Sequence, residues 1–384
     1  MRFFHISDLH IGLKLFNRDL SEDQNYIFQQ IVEAAEREKP DAVVIAGDIY
    51  DKAVPSAEAV TLFDEFVSAL AGAVPNAQLM MISGNHDSAP RVNLFRSVLR
   101  DRKIHMVGLP PGKPEDRIEQ VVLEDAYGAV HFYLLPFVKP SMVRQVVGCG
   151  ENESGLSYEE SIRRLIEREQ IDTTQRNVLV SHQFYVPAGN NADSVERMDS
   201  EIRTIGNIDE VHADVLDPFD YAALGHIHKP MMVGRDCLRY SGTPLACSVS
   251  EAGQEKGIVL VDMKEKGDLQ ISILPLVPLR EVRVIKGSLH EVLNRSCEDY
   301  VTVELNDQVD YDVLDMQDRL RHAFPNLLEI RRVPLERKTA AAACEPEKEA
   351  DPMELCRLFL ADLDEEEERL LRDVMNEVME GGES

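Results

Sequence analysis

Ala42-Val43-Val44-Ile45-Ala46, followed at once by Gly47-Asp48-Ile49-Tyr50-Asp51, is an apolar run of strand length that breaks on a glycine and delivers two carboxylates. Five apolar residues bounded by a turn residue predict a short buried strand rather than a helix. The same arrangement recurs outward from it. Upstream, Arg2–Ile6 leads after one residue to Asp8-Leu9-His10. Downstream, Gln78–Ile82 precedes Gly84-Asn85-His86-Asp87, residues 177–180 precede Ser181-His182, and residues 221–224 precede Gly225-His226-Ile227-His228. Further strand-like runs lie at 130–135 and 258–261. Between the early runs, residues 23–39 place Ile27, Phe28, Ile31, Val32 and Ala35 at helical spacing before Pro40, and residues 56–71 repeat the pattern with Val60, Phe63, Phe66, Val67 and Leu70. Strands alternating with helices predict an α/β layered domain, and ligands of such domains sit beyond the carboxyl ends of the strands. Those ends are where the motifs fall.

The chain has 384 residues, 44% of them apolar, enough for two or three domains with full cores. No apolar run has the length of a membrane span. The N-terminus runs straight into a strand that ends in Asp8, so no export signal is read there. Six scattered cysteines (149, 237, 247, 297, 344, 356) form no C-x-x-C pair, which argues against a zinc ribbon or a disulfide framework and fits a reducing cytoplasm. The net charge is −28, and residues 345–384 hold 15 acidic against 4 basic residues. Such a chain does not grip nucleic acid through a broad basic face; any grip must be local, metal-mediated or lent by a partner.

The pattern changes near Pro275–Pro278. Strand 282–285, helix 288–295, Tyr300–Leu305, Val313–Ala323 and strand 327–333 predict a small α+β domain. The organisation expected is therefore 1–277 for the layered domain, 278–335 for a second domain, 336–350 for a linker and 351–384 for a helical segment. Asp351-Pro352 and Asp364 with Glu367 are helix-start signals. The apolar stripe Leu358, Phe359, Leu370, Leu371, Val374, Met375 and Val378 is more than two short helices bury by themselves, and docking on a partner helix is the expectation.

Within the five motifs, the carboxylates of Asp8 and Asp48, one amide and five imidazoles make an inventory that can hold two divalent cations and leave one histidine for chemistry. Asp48, at a strand end, is the natural bridge between two cations. Asp8 and His10, two residues apart in extended chain, can point to one side together, and His226 and His228, at the same spacing, could reach one metal each. Mixed nitrogen and oxygen ligands suit manganese, iron or zinc better than magnesium or calcium. Two divalent cations against Asp8 and Asp48 leave a local positive charge for a phosphodiester. His86, beside a ligand but not needed as one, is placed to protonate a leaving oxygen, with Asp51 or Asp87 to orient its ring.

This constellation resembles the calcineurin-like metallophosphoesterase superfamily, whose pattern is D-x-H, G-D-x-x-D, G-N-H-D/E, a lone His and G-H-x-H. Within it, Ser83-Gly-Asn-His-Asp-Ser88, Ala223-Leu-Gly-His-Ile-His-Lys-Pro230 and Tyr240-Ser-Gly-Thr-Pro-Leu-Ala246 are similar to the nuclease subunits of bacterial double-strand-break repair complexes, relatives of the meiotic-recombination nuclease. The resemblance implies a layered sandwich with a small capping domain and a C-terminal helical segment. It implies Asp8, His10, Asp48 and His228 on one metal, Asp48, Asn85, His182 and His226 on the other, and His86 as the catalytic histidine, with manganese in use. It also implies a homodimer, exonuclease and hairpin or end endonuclease activity on DNA, and an ABC-type coiled-coil ATPase partner that binds the helical segment. Lys14, Lys52, Arg91 and Lys229 lie close in sequence to the motifs and are candidates for DNA backbone contact or plain surface solvation.

Other features carry less. A single D-x-H or G-D occurs by chance; five in order do not. Gly108-Leu-Pro-Pro-Gly-Lys-Pro114 is one residue short of a phosphate loop and ends in proline instead of Ser/Thr, so it reads as a turn and no nucleotide site is expected in this chain. His5 reads as structural. A small-molecule or phosphoprotein phosphoesterase, and a non-catalytic scaffold on the same fold, are the competing readings. The second domain and terminal helices speak against the first, the full ligand set and His86 against the second.

Overall fold

The structure is a computed structural model and describes residues 1–148, 155–189, 195–201, 209–307, 313–332 and 367–373. The strands expected at the five motifs all form, and they divide between two six-stranded sheets, as in the layered sandwich expected. The first runs, edge to edge, Leu269–Leu276, Lys256–Met263, Arg2–Ile6, Ala42–Ala46, Gln78–Ile82, Ile104–Val107. The second runs Met231–Val233, Arg235–Tyr240, Tyr221–Gly225, Arg176–His182, Gly128–Leu135, Glu119–Asp125. In each, the strands that carry motifs are parallel neighbours.

Alternation along each strand explains the sandwich. Phe3 faces the second sheet, where its ring meets Phe132 and Tyr221 edge-on at 5.3 and 5.5 Å, whereas Phe4 and Ile6 face the helices. Val44 and Ala46 likewise pack between sheets, and Val43 and Ile45 pack outward. A strand buried on both faces loses the polar half of its alternation, so the sequence shows a continuous apolar run. His5 is the polar exception. Its two ring nitrogens bridge Tyr221 Oη at 2.9 Å and the Leu224 carbonyl at 3.1 Å, so it ties one sheet to the other.

Helices Ser21–Glu38 and Ala57–Ala73 cover the outer face of the first sheet, with Phe28 stacked on Phe66 at 4.4 Å. Burying each such ring contributes roughly 2 kcal/mol. The second helix starts where Ser56 Oγ accepts from Ala59 N at 3.2 Å; the first stops at Lys39, in left-handed conformation before Pro40.

Residues 282–332 form a parallel three-stranded sheet, Val282–Gly287, Tyr300–Leu305 and Leu327–Arg332, with helices Leu289–Leu293 and Val313–Ala323 and a core of its own around Val292, Val303, Leu320 and Phe324. It belongs to the same compact unit as the two large sheets. Its seam combines apolar packing of Val282 and Tyr300 on the first sheet's core with a polar contact: buried Asp23, on the Ser21–Glu38 helix, accepts from Arg280 Nη1 and Tyr300 Oη, both at 2.8 Å. A second unit comprises residues 202–209 and 335–384. Residues 367–373 in it are helical, with Leu370 exposed and Leu371 half-buried. The linker expected at 336–350, and Leu358, Phe359, Val374, Met375 and Val378 of the apolar stripe, lie outside the described residues.

Candidate metal centre

The two sheets pack face to face, and the motif loops converge at the carboxyl ends of their parallel strands. The loops after Arg2–Ile6 and Ala42–Ala46 continue to pair beyond the sheet: Asp8 N donates to Gly47 O at 3.0 Å, His10 N to Asp48 O at 3.1 Å and Ile11 N to Ile49 O at 3.0 Å. From the other sheet, His182 Nδ1 donates to the Ala46 carbonyl at 2.8 Å and His226 N donates to Asp8 Oδ1 at 3.0 Å.

The motif glycines are required by crowding. A Cβ on Gly84 would lie 2.1 Å from Asp48 Oδ1, one on Gly47 2.3 Å from His182 Nδ1, and one on Gly225 2.0 Å from Ala46 O. Asp8, His10, Asp48 and His226 all have positive φ (54°, 42°, 47° and 105°). Four strained backbones among the motif residues show that the surrounding hydrogen bonds, not local preference, fix these side chains.

Two clusters result. In the first, His10 Nε2 and His228 Nε2 face each other at 3.0 Å, with an Asp8 oxygen within 4.8 Å of both. In the second, Asn85 Oδ1 lies 3.0 Å from His182 Nε2 and 2.9 Å from His226 Nδ1. Asp48 stands between them, with Oδ2 3.2 Å from His182 Nε2 and 3.8 Å from His10 Nε2. Its other oxygen accepts from His86 N at 2.9 Å.

The hydrogen-bond polarity of this set calls for cations. A carbonyl can only accept, so His182 carries its proton at Nδ1, toward Ala46; a neutral His182 then turns a lone pair on Asn85 Oδ1 and Asp48 Oδ2, themselves acceptors. Acceptors crowded on acceptors need a positive charge between them. The titration behaviour agrees. Burial opposes charge on His182, yet the Asp48 carboxylate raises it to about 9, so a proton is held where a cation would serve. Burial would also push Asp48 up, but His182 and His86 outweigh it and hold the carboxyl well below its usual range. Burial, with His228 next, holds His10 far below its ordinary value, and burial, with Arg197 next, does the same to His226; both are kept in the neutral ligand form. The residues present therefore fit two divalent cations.

His86 is half-buried beside this centre, its ring edge-on to His10 at 4.8 Å. Of the two residues expected to orient it, Asp51 meets its ring through the main chain. His86 Nδ1 meets the main-chain oxygen of Asp51 at 3.0 Å, while an Asp51 carboxylate oxygen lies 3.9 Å from His10 Nδ1. Asp87 accepts from the backbone of Ile49 at 3.0 Å, and of Tyr50 and Gly84 at 2.9 Å, clamping two motif loops together. Burial and then the charge of Asp48 push its carboxyl up to about 6. The sequence could not separate these cases, because a side-chain and a main-chain acceptor at position 51 leave the same spacing.

Lys14, Lys52 and Arg91 are exposed beside the motif loops, and Lys229 is ion-paired with Glu196. Several supporting residues had no sequence signal. Gln24 donates to His10 O at 2.7 Å and accepts from Gly12 N at 3.1 Å, pinning the D-x-H loop to a helix. Arg197 lies over the Phe184 ring at 4.3 Å, with Nη2 3.4 Å from His226 Nε2. Ser200, Glu201 and Glu251 gather around His228.

The calcineurin-like phosphoesterase family model matches residues 1–230, and the type 5 capsule protein repressor C-terminal domain matches residues 278–363. The chain is similar to the SbcD subunit of the nuclease SbcCD from Staphylococcus epidermidis, 29% identical over 91% of this chain and 90% of that protein. Among solved structures it resembles TT1561 of Thermus thermophilus (12% identity, 71% of this chain, 98% of that chain, TM-score 0.39) and a dimetal phosphatase from Danio rerio (13% identity, 72% and 98%, TM-score 0.39).

Proposed function

The chain belongs to the calcineurin-like phosphoesterase family, and from that premise we propose that it is a two-metal DNA nuclease subunit that works with an SbcC-like coiled-coil ABC-type ATPase in DNA repair and recombination. The observation that carries the chemistry is the pair of imidazole clusters sharing Asp48. Asp8, His10, Asp48 and His228 would hold one cation, and Asp48, Asn85, His182 and His226 the other, with manganese suited to this mixed donor set. When bound, such cations activate water and offset charge on the phosphate. The chain's own residues do the rest. Asp48 couples the two clusters. His86, held through Nδ1 by the Asp51 carbonyl, keeps Nε2 for the leaving oxygen, which supports a role as proton donor rather than ligand. Asp87 holds the two loops that carry Asp48 and His86 in register.

The nuclease reading, with double-strand exonuclease and hairpin or end endonuclease activity, is supported by similarity to a nuclease subunit along nine-tenths of the chain. No described helix is long and apolar enough to cross a membrane. The nucleoid is the place where such a substrate would be met. Exposed Leu94, Phe95 and Val98, at 58, 70 and 67% accessibility just after the G-N-H-D loop, support a homodimer through this face. Helical residues 367–373, with Leu370 exposed, support docking of the C-terminal segment on the ATPase.

The test is manganese-dependent cleavage of linear duplex, single-stranded and hairpin DNA, with a phosphomonoester and a model phosphodiester alongside and His86→Ala as control. DNA cleavage that falls about 10²–10⁴-fold in His86→Ala with metal content unchanged is the expected result. Small esters turned over while DNA is untouched, even with ATPase and ATP supplied, would reassign the chain to a small-molecule phosphoesterase.

A further inference from the structure

His228 is held differently from the other motif histidines. His182 and His86 turn their distal ring nitrogens to main-chain carbonyls, of Ala46 and Asp51. His228 turns its Nδ1 to Ser200 Oγ at 2.7 Å, and Ser200 Oγ donates onward to Glu251 Oε1 at 2.9 Å. A hydroxyl that donates its one proton to a carboxylate must accept from the ring, so Nδ1 carries the proton and Nε2 faces His10 as a lone pair. Glu251 Oε1 is itself 3.6 Å from His228 Nδ1.

The main chain of His228 is tied to the same place. Its carbonyl accepts from Lys256 Nζ at 3.1 Å and Thr243 N at 3.1 Å. Lys256 Nζ and Thr243 Oγ1 then donate to Glu251 Oε2, at 2.7 and 2.8 Å. Ser248 Oγ and Cys247 N complete the shell on Oε1, at 3.0 and 3.2 Å. Glu251 is 1% exposed, so each of these bonds is made out of water, where a charged acceptor is strongest. If the carboxylate served only to neutralise Lys256, it would not need to collect the ring and, through its donors, the carbonyl of one histidine.

We propose that Glu251 is a positioning residue for His228: through Ser200 it fixes the tautomer and aim of the imidazole, and through Lys256 and Thr243 it fixes the backbone that carries it. A carboxylate behind a ligating imidazole also raises its donor strength, and loss of such a partner costs about 10–100-fold in metal affinity. His182, backed by a neutral carbonyl, has no such assistance, so Glu251 also makes the two metal positions unequal, the one that includes His228 being the tighter. The inference rests on the metal-centre reading above.

The experiment is titration of metal-free protein with Mn2+ by calorimetry, with bound metal counted by elemental analysis. Wild type is expected to show two binding steps. Glu251→Gln alone would strand the Lys256 ammonium in the interior, so Glu251→Gln/Lys256→Met is the informative pair, with melting temperature and circular dichroism as folding checks. The double variant should keep one step unchanged and weaken the other about 10–100-fold. Ser200→Ala, which cuts the ring from the carboxylate and leaves the ion pair whole, should weaken the same step and not the other. Two unchanged steps in Ser200→Ala, or in a folded double variant, would overturn the proposal and leave the metal centre standing. No Mn2+ taken up by wild type would overturn both.

Discussion

At the residue scale, backbone crowding decides more than charge. A β-carbon on Gly84 would sit 2.4 Å from Asp48 N and closer still to its carboxylate, so Gly84→Ala must displace the residue shared by both clusters. We expect activity to fall by about two orders of magnitude or more, with metal content lowered and circular dichroism unchanged. Gly72, near the end of a helix and with nothing within 4 Å of its would-be β-carbon, is the control: Gly72→Ala should raise stability by about 0.5–1 kcal/mol in denaturant titration. His5 supplies the pH prediction. Burial lowers its pKa to about 3, against an ordinary 6.5, because the ring sits between the sheets on Tyr221 and Leu224. The unfolded chain therefore takes up a proton that the folded chain refuses. Above pH 6.5 the ring is neutral in both states and carries no penalty; as pH falls toward 3 the unfolded chain alone is protonated, and stability is lost. The loss is on the order of 5 kcal/mol over the whole window. His5→Gln should flatten the fall of melting temperature between about pH 7 and pH 4; equal slopes in both proteins would refute the assignment.

At the element scale, the sequence was legible wherever an apolar run met a motif. Arg2–Ile6, Ala42–Ala46 and Gln78–Ile82 have the expected bounds, as do Tyr300–Leu305 and Val313–Ala323 in the small domain. The division of strands between two sheets was not legible, because Val44 facing a sheet and Val43 facing a helix are equally apolar. The side chains that converge at the candidate centre could be read because G-D and G-H-x-H carry their own spacing. Glu251 and Gln24 could not: they lie in a short turn and in the first turns of a helix, both buried, and act only through contacts made on folding. The seam of the small domain is a second such case. Asp23 is fully buried and accepts from Arg280 and Tyr300, while the next residue, Gln24, holds the loop of Asp8 and His10. Arg280→Ala leaves a carboxylate buried without its cation and should cost about 3 kcal/mol. Native-state hydrogen exchange should show the Tyr300–Leu305 strand losing protection before the two large sheets do; uniform loss of protection would mean that the seam does not hold the small domain separately.

At the scale of the whole molecule, the charge sets the terms on which this chain can meet DNA. A net charge of −28 repels a polyanion at long range, and the local excess of positive charge at a loaded metal centre is confined to a few ångströms behind a Debye length of about 8 Å at physiological ionic strength. Lys14, Lys52 and Arg91 are exposed near the motif loops, whereas Lys229 is already paired with Glu196. If three side chains neutralise phosphates, the logarithm of affinity should fall with the logarithm of salt at a slope of about −3, near the low end for duplex binding. A partner that contributes its own basic surface would steepen that slope well beyond about −3 and raise affinity at low salt more than at high salt. Fluorescence anisotropy on a labelled duplex, for the chain alone and with the proposed ATPase partner added, between about 50 and 200 mM salt, measures both slopes. Equal affinity and equal slope in the two samples would mean that the acidic chain holds DNA by itself. A steep slope confined to the complex would place the phosphate contacts on the partner, and leave to this chain the work that the buried clusters around Asp48 are built for.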